Sequence, residues 1–144
     1  MTVQIHGILS ENADIYWPFI SEWCEDALSR AMGDLLNLDD VKAAVAKQEM
    51  QLWVIYNNGK ITATCVTEIR TWPRTKVLTA IIVAGRGMDE WVRQLDALLT
   101  AFGAANGCKM LDAHGRSGWK KPLAELGWQQ SVVTYAKGIE NGKE

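Results

Sequence analysis

The chain lacks the long hydrophobic run that a membrane span requires: no apolar stretch approaches the roughly 18 residues needed to cross a bilayer. Its start, Met1-Thr2-Val3-Gln4-Ile5-His6, has no charged-then-apolar layout of a secretory leader, so a cytoplasmic location is expected. It is poor in cysteine. Cys24, Cys65 and Cys108 are odd in number and widely spaced, so neither a disulfide framework nor a zinc site is suggested and each is expected to be a small buried hydrophobe. There is no excess of positive charge either. A net charge of -2 supplies no basic footprint for nucleic acid. Proline-rich linkers, repeats and low-complexity tracts are missing too, so residues 1–138 read as one domain and 139–144 as a flexible C-terminal tail. A chain of 144 residues is long enough to bury roughly two thirds of its unfolded surface without staples. What it has in quantity is tryptophan: seven residues, which call for a large core or an aromatic surface that meets a partner.

Local patterns order the elements. Val3 and Ile5, with an extension toward Leu9, predict a short first strand. Pro18 suits the first turn of a helix, and Phe19, Ile20, Trp23, Cys24, Ala27, Leu28 and Ala31 recur along it as an apolar stripe that Gly33 ends. Asp39 or Asp40 is expected to cap a second helix through Val41, Ala44 and Val45. The runs Leu52–Tyr56 and Ile61–Ile69, joined by Asn57-Asn58-Gly59-Lys60, predict a hairpin, because Asn-Gly accepts positive φ readily. After a turn at Trp72-Pro73-Arg74, Thr75–Val83 reads as a buried central strand. Met88, Trp91, Val92, Leu95, Leu98, Leu99, Phe102 and Ala105 mark a long amphipathic helix stopped by Gly107. Lys109–Ala113 is then a short strand and Trp119–Leu126 a helix closed by Gly127. Trp128–Lys137 is expected to be a last strand. The fold class is therefore α/β (α+β), in the order β-α-α-β-β-β-α-β-α-β.

That order, with Gly85-Arg86-Gly87 between the central strand and the long helix, resembles the N-acetyltransferase-like GNAT superfamily over nearly the whole chain. The family's phosphate-binding pattern is Gln/Arg-x-x-Gly-x-Gly/Ala. Ile82-Val83-Ala84-Gly85-Arg86-Gly87 matches both glycines and departs at Ile82. The family's closing run is similar to Pro122-Leu123-Ala124-Glu125-Leu126-Gly127-Trp128, with Leu123 where a general-acid tyrosine usually stands. Gly115-Arg116-Ser117-Gly118-Trp119 further resembles a divergent group encoded by bacteriophages and prophages. The resemblance implies a mixed, mostly antiparallel sheet with helices on both faces. It also implies acetyl-CoA as acyl donor in a V between two splayed strands, and acetyl transfer to an amine. The phage-like loop implies the alternative of a non-catalytic virion, assembly or host-interaction protein, in the host cytoplasm or the phage particle, with a phage or host protein as partner.

Each candidate residue has two readings. Ile82, Val83, Gly85, Arg86, Gly87 and Met88 form a pyrophosphate-binding turn or a strand-to-helix turn that needs positive φ. Asp89 and Glu90 in the helix's first turn oppose an anion there, offset by Arg86 and Arg93. Glu68 is a general base or a solvated edge-strand carboxylate. His114 is an acid-base partner at the mouth of the V or a loop histidine capping the next helix. Arg116 clamps a carboxylate or phosphate, or pairs with Asp112 or Glu125. Trp119 is a substrate wall or lies buried, as are Trp17 and Trp72, whereas Trp23, Trp53 and Trp91 read as core. No metal ligand set is present, neither nucleic acid nor membrane is an expected partner, and the tryptophan content makes a homo-oligomer plausible.

Overall fold

A computed structural model describes residues 2–31, 35–115 and 117–139, with the backbone alone for Ala31 and Ser117. Gly33 and Arg116 therefore lie outside the described residues. The elements run β1 (Val3–Ile8), a 3-10 turn (Ser10–Asn12), α1 (Ala13–Ala31), α2 (Leu38–Ala46), β2 (Gln51–Asn57), β3 (Lys60–Thr71), β4 (Lys76–Gly85), α3 (Met88–Ala105), β5 (Met110–Ala113), a second 3-10 turn (Ser117–Trp119) and α4 (Lys120–Ala124). The strands make one five-stranded sheet in chain order, antiparallel throughout except for the parallel pair β4 and β5.

The β2–β3 hairpin forms on Asn58 and Gly59, with φ of 52° and 83°, the two left-handed residues of a tight turn that matches strand twist. Both faces of the sheet are covered. On one, Trp17, Ile20, Cys24 and Leu28 of α1 and Val41 and Val45 of α2 pack on Leu52, Val54, Val66, Ile81 and Ile82. On the other, Trp91, Leu95 and Leu99 of α3 pack on Trp53, Ile55, Cys65, Leu78 and Ala80. Trp53 meets Phe102 edge-on at 5.1 Å and donates its indole N–H to Thr67 Oγ1 at 3.0 Å, so this large ring is buried without an orphaned donor.

Four local expectations are corrected. Pro18 is not in the first turn: α1 begins at Ala13, because Ala13 and Trp17 extend the buried stripe one turn upstream. Pro18 is exposed, so water can satisfy the Asp14 carbonyl that the ring leaves without a donor. This start sets the helix phase, and Trp17 is 4% exposed while Phe19 is 63% exposed, the reverse of the pattern read from Pro18. The second helix is capped by Asn37, not by Asp39 or Asp40. Asn37 Oδ1 accepts from the Asp40 N–H at 2.9 Å and Asp40 Oδ2 accepts from the Asn37 N–H at 3.1 Å, a reciprocal box. Trp23 is only half-buried. Finally, 128–139 forms no strand: the segment has strand-like residues but no ladder partner, and no residue from 129 to 139 is hydrogen-bonded within the described chain.

Candidate functional site

The site is made by a bulge. Thr67 pairs with Ala80 and Val66 with Ile82, leaving Ile81 as an extra residue in β4. A bulge bends its strand and increases its twist. The parallel ladder with β5 ends at Ala80 opposite Ala113, followed only by the His114 N–H donating to the Ala80 carbonyl at 3.2 Å. Beyond that point β4 continues to Gly85 beside β3 alone, while the chain after β5 turns away. The gap between them is a V.

Two cavities flank this gap. The larger, about 150 Å³, is lined by Trp23, Asp26 and Arg30 of α1, by Ile81 to Gly85 of β4 except Ile82, and by His114, Gly115 and Trp119. The smaller, about 40 Å³, is apolar and lies against α3, with Met88, Val92, Leu123 and Trp128 in its walls. Val83 and Trp119 line both, so the indole of Trp119 stands between them. It is folded back on Gly115: a Cβ there would lie 2.6 Å from Trp119 Cε3. Asp26 and Arg30 form an exposed ion pair at 3.3 Å on the cavity rim.

The Gly85–Gly87 turn has mixed causes. Gly85 has φ of 123°, and a Cβ on it would run into the backbone of Ala63 and Thr62. Its lack of a side chain thus serves the packing of β4 on β3. The Arg86 N–H is also consumed by β3, donating to the Thr62 carbonyl at 2.8 Å, and its carbonyl accepts the Trp91 indole N–H at 2.7 Å. Gly87, with φ of 72°, caps α3 in the left-handed region. The amides of Gly87, Met88 and Asp89 have no backbone partner among the described residues and are directed along the start of an 18-residue helix. Glu90 stands beside Gly87. Its Oε1 would lie 2.6 Å from a Cβ on Gly87, and Asn57 Nδ2 holds it there at 2.9 Å.

Of the residues singled out in the sequence, Val83, Gly85, His114 and Trp119 therefore meet at one cavity, and Met88 joins Val83 and Trp119 at the other. Ile82 does not line either, being sealed in the α1 side of the core. Glu68 is apart from both. It pairs with Thr79 below the V and accepts from Arg70 Nε at 2.9 Å. Trp23, Asp26 and Arg30 were missed as site residues, since only the packing of α1 on β4 brings them to the gap. Burial, with Glu25 adding to it, pushes the Cys24 thiol up to about 12, and burial pushes Cys65 up as well. Neither is a thiolate at neutral pH, which removes both as nucleophiles. Among the described residues no group of three His, Cys, Asp or Glu can hold a metal ion, and no helix is long and apolar enough to cross a membrane.

Solved structures share this fold. A GCN5-related N-acetyltransferase from Ralstonia eutropha superposes with a TM-score of 0.71 over 96% of this chain and 99% of its own, at 15% identity. An aminoglycoside acetyltransferase from an uncultured soil metagenomic sample, solved in complex with sisomicin, gives 0.67 over 96% and 97% at 10% identity. Glucosamine-6-phosphate N-acetyltransferase from Arabidopsis thaliana gives 0.62 over 97% and 100% at 15% identity. The chain has the GNAT fold. No family model and no curated protein matches it in sequence. At these identities the likeness establishes the GNAT fold, and the chemistry must be argued from the chain's own residues.

The donor that this fold implies, acetyl-CoA, can be tested against those residues. The V offers a slot between β4 and β5, apolar on its α3 side, and the three open amides at the start of α3 suit a phosphate. Arg86 and Arg93 are exposed nearby, whereas Asp89 and the tethered Glu90 oppose an anion. The residues fit the acyl arm well and the phosphate end weakly.

Proposed function

We propose that the chain binds acetyl-CoA in the V and passes its acetyl group directly to the amine of a small molecule. The single observation that supports this most is the Ile81 bulge, which opens β4 from β5 where His114, Trp119 and the start of α3 converge. When bound, acetyl-CoA would supply an acyl group activated as a thioester. The open amides of Gly87, Met88 and Asp89 hold its phosphates, with Arg86 and Arg93 offsetting Asp89 and Glu90. Val83 and Trp119 flank the acyl arm and exclude water. His114 lines the cavity on the acceptor side and is its one imidazole. The attacking amine must shed a proton and the departing thiolate must gain one, and an imidazole at this place suits that exchange. Leu123 lies in the apolar cavity and cannot donate a proton. Glu68 has its carboxylate committed to Arg70 and is the weaker base candidate. Burial holds both core cysteines protonated, so neither serves as the nucleophile of an acyl-enzyme.

The test is a calorimetric titration with acetyl-CoA followed by thiol release against a panel of amines. The expected outcome is binding that His114→Ala leaves intact while turnover falls by about 10²-fold or more. No binding would sink the donor reading. It would favour the alternative of a non-catalytic GNAT-fold protein engaged with a phage or host protein, a reading supported by the Glu90 carboxylate standing over Gly87.

A further inference from the structure

The cavity of about 150 Å³ between α1 and the V has three ionisable side chains among its described lining residues, those of Asp26, Arg30 and His114. Asp26 and Arg30 lie one turn apart on α1 and meet through a single contact, Arg30 Nη2 to Asp26 Oδ2 at 3.3 Å, with the side chains 51% exposed for Arg30 and 61% for Asp26. Neither side chain makes another ion pair among the described residues, so most of the guanidinium fork and one carboxylate oxygen are open to a ligand. An exposed pair at this spacing contributes little to stability, and re-pairing its two charges costs correspondingly little.

That spacing sets the complement. A positive and a negative charge 3.3 Å apart are answered by a negative and a positive charge at a similar separation, which is how an α-amino acid carries its carboxylate and its ammonium. A polyamine would bring like charge to Arg30, and a dicarboxylate would bring like charge to Asp26. The other walls are largely apolar: Trp23 and Ala27 from α1, Ile81 and Val83 from β4, and Trp119. Two half-buried indoles in so small a space favour a flat ring or a branched apolar chain over a polar one.

We propose that this cavity recognises an α-amino acid with an aromatic or branched apolar side chain. Its carboxylate lies on the Arg30 fork, its ammonium on Asp26, and its side chain against Trp23 and Trp119. The inference rests on the acetyl-transfer reading for one point only, that the bound α-amine is the group to be acetylated.

The experiment uses the full chain and three probes of one shape: L-phenylalanine, phenethylamine, which lacks the carboxylate, and 3-phenylpropanoate, which lacks the amine. Their binding is measured by calorimetry with and without coenzyme A. L-phenylalanine is expected to bind at least about tenfold more tightly than either analogue. Arg30→Gln is expected to bring it down to the level of phenethylamine, and Asp26→Asn to the level of 3-phenylpropanoate. Both side chains are exposed, and an unchanged circular dichroism spectrum checks that the variants fold. Phenethylamine binding as tightly as L-phenylalanine would overturn the proposal. So would a preference that survives Arg30→Gln, or no binding of any of the three. Thiol release from acetyl-CoA separates the two readings: L-phenylalanine bound without release upholds the recognition and ends the transfer reading, whereas release with phenethylamine but not with L-phenylalanine does the reverse.

Discussion

From Val3 to Gly85 every strand is paired along its length with at least one neighbour and covered by helices, with β1 forming an edge of the sheet; from His114 onward the described chain has almost none of this. Four antiparallel strands are sandwiched between α1 and α2 on one face and α3 on the other, and the side chains without exposure, Ile20, Val54, Ile55 and Cys65 among them, all lie there. After Ala113 only half-buried or exposed residues occur among those described, and the contacts are single anchors such as Trp128 on Asp96. The candidate site sits where these two regimes meet. A rigid wall, β4 with its bulge, faces a wall formed by His114, Gly115 and Trp119, where the contacts among the described residues are the His114 N–H on the Ala80 carbonyl and Trp119 lying over Gly115. Such a contrast suits a cleft that admits a ligand, because the loosely held side can adjust while the firm side keeps the geometry.

The largest test of this contrast is Gly85→Ala. A positive φ combined with a clash against the Ala63 and Thr62 backbone leaves no cheap relaxation, so a loss of about 3 kcal/mol or more is expected in urea unfolding. For that reason Gly85 is a folding variant and a poor probe of ligand binding. Next come the two indole anchors, one in each regime. Trp91→Phe removes a buried donor from the Arg86 carbonyl and is expected to cost about 2 kcal/mol, whereas Trp128→Phe is expected to cost about 1 kcal/mol or less. Equal losses would erase the distinction between the regions.

Alkaline pH sharpens the comparison in another way. Cys24 is raised from 9.0 to about 12 in the fold, so the unfolded chain releases this proton first. Stability should be flat below about pH 8.5 and fall as pH rises from 9 toward 12, by up to about 1.4 kcal/mol per pH unit for this thiol. Unfolding of the wild type and of Cys24→Ala at pH 7.5 and 10 checks it: the difference between the two pH values should shrink in the variant. The smallest expected effect is at the hinge between the regimes. Glu90→Gln removes the charge tethered over Gly87 and should tighten acetyl-CoA by about two- to fivefold in calorimetry, with little change in stability. Weaker binding would mean that Glu90 shapes the turn more than it repels the anion.

Several of these features were legible one residue at a time. Asn58-Gly59 announces its hairpin because two left-handed residues in succession are a local requirement. The stripe from Met88 to Ala105 announces α3 because period 3.6 is also local. Phe19 and Trp17 show where this runs out. Their exposures depend on the phase of α1, and the phase was set by Ala13 and Trp17 packing against the sheet, not by the proline signal at residue 18. Gly85 and Gly87 look alike in sequence and differ in cause: one yields to a neighbouring strand, the other to a helix cap. The site residues Trp23, Asp26 and Arg30 had no readable signal, since a tryptophan on a helical stripe reads as core until the gap beside it is known.

By itself the sequence determined the order of the elements as far as α4, the hairpin, the helix caps in kind if not always in residue, and the turn between β4 and α3, because backbone preference and hydrophobic period act over a few neighbours. Only the tertiary structure decided that β4 parts from β5 after Ala80. That parting comes from the register of β3 on β4, which leaves Ile81 unpaired between residues far apart in the chain. It also decided the fate of 128–139, whose residues favour a strand but find no ladder partner among the described residues.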